Sequence, residues 1–445
     1  MGGVQRASWG IVVQSLDRDE RLFELSPRAL LVPASVAKLV SVASAVDRVG
    51  WDYRFTTSLR SSGTIGNGVL QGDLVVVGSG DPSIGGPAGD DFTGWIAALK
   101  ALGITRIDGR IIGDDNALEE PRPALSWAWD DLGYRTGAIF GALNFAENRM
   151  AVKVTAGRAA GEPTALSVEP IASYRTLANR TVTGAPGSRP LLWPEQRPGE
   201  PVLTIAGSLP AGSPAITLTV AVGNPTLWFA NALRERLVAG GIPVTGDAVD
   251  VDDVAPPPAV AEMRELYRYR SHPLSDIVQP LLKESINVYG EAVMRLNSAP
   301  EAFPTNDAAL DGLRTRLITW GVPLDGQQLV DGSGLSRRDV IAPELLLAVL
   351  KREYDASGAS PWMTALPLAG IDGSLESRMK GTTADRNLRA KTGTMSNIRS
   401  LAGYVTSHDG EHLAFVIMVN NFEGPGAAAV QAIDAIAVRL ATFSR

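Results

Sequence analysis

Apolar and polar positions alternate at both ends of the chain and lose that regularity in the middle. Ser8–Leu16 (SWGIVVQSL) reads as a strand, Asp17–Glu20 as a turn and Arg21–Leu25 as the returning strand. Near the C-terminus, Arg389–Thr394, Ser400–Ser407 and His412–Asn420 read as three more strands, with Asp409-Gly410 turning between the last two. Helical spacing covers Pro273–Lys283, Val288–Asn297, Asn306–Trp320, Ala342–Ala356 and Gly426–Phe443, the last with Val430, Ile433, Ile436, Val438 and Leu440 as its core face. Between the first hairpin and these helices, Val36–Val46 is apolar nearly all round, the mark of a helix buried on every side. Pro33 and Ala34 precede it, so Ser35 is expected to open that helix.

From about Tyr53 to Val254 the texture is different. Short strand-like runs at Phe55–Arg60, Gly72–Val77, Arg106–Ile112, Ala151–Val154, Ala165–Val168, Pro201–Ala206 and Ala215–Val222 are separated by Gly and Pro. Helical texture is confined to Phe92–Leu102 and Leu227–Ala239, and the Ala255-Pro256-Pro257-Pro258 joint marks the return to the flanking pattern. Two opening strands, three closing strands and helices at both ends predict one α+β domain split by a long β-rich insertion.

Composition narrows the picture. The 445 residues suffice for roughly three domains, and 41 basic against 48 acidic residues give a net charge of −7. No basic stripe stands out, which argues against nucleic acid as a partner. The absence of cysteine removes disulfides, thiol catalysis and Cys-based metal sites. No apolar run reaches the length of a membrane span, and Met1-Gly2-Gly3-Val4 lacks the charged-then-apolar run of a signal peptide.

Lys38 lies one turn after Ser35, so the two side chains share a face. A lysine in apolar surroundings has its charged form penalised and becomes available as a base. A serine among the free N–H groups of a helix start is placed to be its nucleophile. The bland alternative is a helix cap beside a snorkelling lysine. Ser377-Arg378-Met379-Lys380 repeats the spacing in a polar, Gly-flanked setting where nothing catalytic is expected. Two other motifs change the balance: Ser285-Ile286-Asn287 and Lys391-Thr392-Gly393. Singly, these read as a polar turn and an edge strand. In the order Ser-x-x-Lys, Ser-x-Asn, Lys-Thr-Gly they form the signature set of serine β-lactamases and penicillin-binding proteins. His272, His408 and His412 lack metal spacing and any Gly-x-Ser-x-Gly, so a Ser-His-Asp hydrolase is poorly supported. Asp114-Asp115 and Asp130-Asp131 read as solvated turn acids rather than a cation site.

The chain resembles the class C penicillin-binding proteins that act as D-alanyl-D-alanine carboxypeptidase/endopeptidases. Beyond the three motifs, the likeness rests on Gly78-Ser79-Gly80-Asp81-Pro82, Gly113-Asp114-Asp115 and Trp127-Ala128-Trp129-Asp130-Asp131. It continues through Asp331-Gly332-Ser333-Gly334-Leu335-Ser336-Arg337 and Leu366–Gly373. Ile286 stands where the wider superfamily often has Asp. The resemblance implies a penicillin-binding/serine β-lactamase-like domain, an antiparallel five-stranded sheet flanked by helices, made of residues 1–57 and 259–445. It implies two insertion subdomains, 58–84 with 156–258, and a nested 85–155.

It also implies a role for each residue. Ser35 attacks the carbonyl between two terminal D-alanines and Lys38 takes its proton, while the N–H groups of Ser35 and Thr394 form the oxyanion hole. Ser285 relays a proton to the leaving amine, Asn287 holds Lys38 and the substrate amide, and Lys391 supplies positive potential. Thr392, Gly393 and Thr394 line the carboxylate site. For stems bearing a diamino acid, a side-chain pocket is expected from Trp127, Asp130, Asp131 and Tyr134, with Met395 on the apolar stem and Arg337 at the carboxylate. An equal alternative makes the Trp–Asp cluster the insertion's own core and cap. Peptidoglycan stem peptides are the implied partners and β-lactams the inhibitors. No cofactor or metal is implied, and the location is extracytoplasmic. Two rivals stay open: a serine β-lactamase, for which no convincing deacylating glutamate is found, and a slow penicillin-recognising wall-binding protein.

Overall fold

In the computed structural model the described residues are 2–87, 89–169, 177–197, 200, 202–299, 302–357 and 361–445. The chain separates into two compact units, one of residues 1–53, 124–126 and 273–445, the other of 54–123 and 127–272.

The first unit is built on five strands: β1 (Ser8–Ser15), β2 (Glu20–Leu25), β3 (Arg389–Met395), β4 (Ile398–Thr406) and β5 (His412–Asn420). They lie in the order β3-β4-β5-β1-β2, every neighbour antiparallel. Chain ends far apart in sequence meet here because β1 pairs with β5 from Ser8↔Asn420 to Ser15↔Leu413. Its longer helices are α1 (Ala37–Val49), α2 (Leu274–Lys283), α3 (Asn287–Arg295), α4 (Asn306–Thr319), α5 (Pro343–Ser357) and α6 (Gly426–Ala441). The predicted elements agree with these to within about two residues, the usual scatter of helix and strand ends. The buried stripe of α6 differs from the predicted one, however. Ala429, Ile433, Ala437 and Ala441 are its deepest residues, and Ile436, Val438 and Leu440 only flank them. Alanines at i, i+4 let the helix backbone approach Leu401, Val405, Phe415 and Ile417 of the sheet.

Among its described residues the second unit holds a five-stranded mixed sheet and three three-stranded ones. Its first and last strands in sequence are neighbours in the sheet: Arg264–Arg270 pairs antiparallel with Thr56–Ser61. That pairing carries the unit to His272, beyond the Pro-rich joint at which the sequence pattern changes. The predicted strand Arg106–Ile112 is two strands, Arg106–Asp108 and Ile111–Asp114, broken where Gly109 passes against the Gly72 carbonyl. The predicted Pro201–Ala206 strand is observed as Leu203–Pro210, its expected first residue Pro201 lying outside the described residues. One apolar cluster joins Leu59, Ile84, Trp95, Phe145, Val152, Leu203 and Trp228, which come from both sides of the two expected internal boundaries. Among the described residues no helix is long and apolar enough to cross a membrane.

Candidate active site

Ser35 sits in a 3-10 turn, Ala34–Val36, and α1 begins two residues later than predicted, at Ala37. The tighter turn brings the i and i+3 side chains onto one line, and Lys38 Nζ donates to Ser35 Oγ at 3.0 Å. The turn is held from two sides. Ala34 has φ +51°, a sparsely populated conformation for a residue with a side chain. Gly334 (φ +77°) lies so close that any side chain there would strike the Ala34 carbonyl. α1 is buried through Ala37–Ala45, as its apolar sequence requires.

Lys38 is fully buried, and burial lowers its pKa to about 8 against the opposing pull of Asp331, Glu291 and Asp339. Its ammonium also donates to Asn287 Oδ1 at 2.7 Å and to the Ser333 carbonyl at 2.6 Å. Asn287 is the first residue of α3. One turn on, Gly290 leaves the room that Lys38 occupies: a Cβ there would stand 3.3 Å from Lys38 Cε and 3.0 Å from the Gly332 oxygen.

Ser285 precedes α3 with φ +60°. Lys391 Nζ donates to its Oγ at 2.8 Å and to the Thr392 carbonyl at 3.0 Å. Lys391 is also fully buried, its pKa pushed well down by burial and by the neighbouring Lys38 charge. Thr392 donates to Ser374 Oγ at 2.7 Å, whereas Thr394 is exposed. β3 packs on the Ser35 turn through Gly393. The three motifs, from a turn, a helix start and an edge strand, therefore meet in the first unit as one chain of hydrogen bonds about Ser35–Lys38–Asn287 and a second about Lys391–Ser285.

The expected side-chain pocket residues are distributed over both units. In the first, Arg337 is exposed, with Nη2 3.4 Å from the Ser396 carbonyl, and Met395 is half-buried at the end of β3. In the second, Trp127 is buried while Asp130 and Tyr134 are exposed and Asp131 is half-buried. Ser377 and Lys380 both lie exposed in turns, as expected of a chance spacing. Among the described residues no group of His, Cys, Asp and Glu could hold a metal ion.

Sequence reasoning gave no role to the Ser333 carbonyl, Glu291 or Ser374. Glu291 had a signal: it stands one turn after Asn287 on a helix buried almost throughout, where an acid is out of place.

The model of the D-Ala-D-Ala carboxypeptidase 3 (S13) family matches residues 2–443. A D-alanyl-D-alanine carboxypeptidase of Actinomadura sp. (strain R39) is 34% identical, the match covering 98% of this chain and 81% of the relative. D-alanyl-D-alanine carboxypeptidase DacB of Haemophilus influenzae is 26% identical over 93% of this chain and 85% of its own. Among solved structures, penicillin-binding protein 4 (dacB) of H. influenzae superposes with a TM-score of 0.85 at 23% identity, covering 98% of this chain and 97% of that one. The fold is thus the penicillin-binding one, and the chain belongs to the D-Ala-D-Ala carboxypeptidase 3 (S13) family of serine peptidases.

Proposed function

We propose that Ser35 is the nucleophile of a DD-peptidase that releases the terminal D-alanine from peptidoglycan stem peptides, with Lys38 as its base. The observation that carries this reading is the 3.0 Å contact between Ser35 Oγ and a fully buried Lys38. Burial favours the neutral amine, and an amine at this distance can accept the hydroxyl proton as Oγ attacks the carbonyl carbon. The Ser35 N–H at the turn and the Thr394 N–H on β3 are the donors for the oxyanion. Ser285, tied to Lys391, returns a proton to the leaving amine nitrogen, and free D-alanine departs. Lys391 and the Thr392 and Thr394 hydroxyls suit the terminal carboxylate. Water then attacks the acyl-enzyme ester, and Ser35 is restored.

A cross-linked stem differs only in the amine that leaves, so endopeptidase cleavage needs no other machinery. A β-lactam presents a strained amide in place of the dipeptide, so it acylates Ser35 and inhibits. The substrate places the enzyme outside the cytoplasm.

Mass spectrometry of the protein after incubation with a penicillin, and separately with a peptide ending in D-Ala-D-Ala, tests the reading. Expected are a long-lived acyl adduct on Ser35, its loss in Ser35→Ala, and release of D-alanine from the peptide. Rapid penicillin turnover would identify a β-lactamase instead. Absence of both reactions would leave a binding protein, and labelling of another serine would overturn the assignment.

A further inference from the structure

Lys38 donates to three acceptors, and they are not equivalent. Asn287 Oδ1 and the Ser333 carbonyl, at 2.7 and 2.6 Å, can only accept, whereas Ser35 Oγ, at 3.0 Å, also carries a proton to give. A charged amine has three N–H groups and can satisfy all three. On losing its proton it keeps two, and these belong to the two acceptors that cannot donate. The lone pair that appears is left facing the Ser35 hydroxyl.

This orientation depends on where the Ser333 carbonyl is held. Asp331 Oδ1 accepts from the N–H groups of Ser333 (3.1 Å) and Gly334 (2.6 Å), and its Oδ2 from that of Ser336 (2.7 Å). Both oxygens of Glu291, on α3, accept from Gly332 N–H at 3.1 Å. Ser41, on α1 itself, donates to the Gly332 carbonyl at 3.0 Å. Asp331 and Glu291 are 1% and 4% exposed, and keeping two acids so deep is costly unless their hydrogen bonds matter.

We propose that Asp331 and Glu291 are positioning residues of acylation: by pinning residues 331–336 they hold the Ser333 carbonyl on Lys38 and so aim the lysine lone pair at Ser35. The proposal rests on the reading of Ser35 as nucleophile and Lys38 as base. The acids also set the charge behind the base. The ionisable groups facing Lys38 are Glu291 from α3, Asp331 and Asp339 from the loop after α4, and Lys391 from β3. Burial raises Glu291 to about 7 and Asp339 well above its ordinary value, and the Asp331 charge adds to both shifts. Asp331 accepts three backbone N–H groups, and its charge is the foremost electrostatic pull opposing the effect of burial on Lys38.

The test is the second-order rate of Ser35 acylation by a fluorescent penicillin, measured against pH, with thermal unfolding of each variant. Glu291→Gln keeps an acceptor for Gly332 N–H and should stay within about threefold of wild type, whereas Glu291→Ala should lose about tenfold or more. Asp331→Asn removes the anion that favours Lys38 in its charged form. The acid limb of its profile should therefore move to lower pH, by roughly one unit, while its plateau falls. Equal rates for the Gln and Ala variants, or an unmoved limb in a folded Asp331→Asn, would overturn the proposal with Ser35 still labelled in wild type. If Asp331→Asn does not fold, the Glu291 pair decides alone. A wild-type label away from Ser35 would overturn the nucleophile assignment and this proposal together.

Discussion

A side chain at Gly393 would set its Cβ 2.6 Å from the carbonyl oxygen of Pro33, so β3 and the Ser35 turn pass each other backbone to backbone. The same Cβ would lie 3.1 Å from Ser400 Cβ and 3.2 Å from Ala34 Cβ. Relief requires main chain to move, and both chains that could move carry the site. Gly393→Ala should therefore cost about 1–3 kcal/mol of stability and slow acylation by more than that loss explains. Melting curves beside penicillin acylation rates check this; unchanged acylation would show that the strand and turn need not touch to work.

Because burial lowers Lys38 to about 8, its charged form should dominate below that pH. A base must be free to accept the serine proton, so kcat/KM should rise with pH through about 8 and level off above it. Lys38→Arg keeps the charge but cannot deprotonate, and should lose roughly 10³-fold or more in acylation rate. Near-wild-type acylation by that variant, or a profile flat from pH 6 to 9, would remove Lys38 from the base role.

Asp115 links pH to the stability of the second unit. It is 2% exposed, its Oδ2 accepts from Thr226 Oγ1 and, among the described residues, its Oδ1 has no hydrogen-bond partner. Burial first, then Asp250, Glu120 and Asp252, raise its pKa to about 7. The folded value lies above the unfolded one, so folding favours the protonated form. That contribution is complete below about 4 and is lost as pH rises through about 7. Asp115→Asn, which cannot ionise, should gain in Tm over wild type between pH 5 and pH 8, by roughly 5 °C. A constant difference across that range would mean that Asp115 stays charged.

We propose Asp130 as the acid of the side-chain pocket expected from the sequence. It is an exposed acid beside the exposed Trp129, with Tyr134 also exposed four residues further on, residue types that offer a side-chain amine both charge and apolar cover. Asp130→Ala should reduce kcat/KM by about 1–3 kcal/mol on a stem peptide whose diamino acid has a free amine. The acetylated peptide should be nearly unaffected. Equal losses on both peptides, or none, would return this acid to a purely local role in its unit.

The sequence by itself determined the parts whose physics is local. Alternation and helical spacing located the five strands and the main helices of the first unit, because each buries a periodic face. The motifs Ser35-Lys38, Ser285-Asn287 and Lys391-Thr392-Gly393 were legible as well, since each is short and its residue types are few, and their side chains do come within hydrogen-bonding reach. Tertiary structure decided what depends on residues distant in sequence. Neither the pairing of Arg264–Arg270 with Thr56–Ser61, which carries the second unit past the Pro-rich joint, nor the single apolar cluster joining its segments leaves a local pattern. The acceptors that aim Lys38 are the clearest case. Ser333 contributes a main-chain carbonyl, which no side-chain motif encodes, and it reaches Lys38 across 295 positions only because Gly290 and Gly334 let three backbone segments close around one amine.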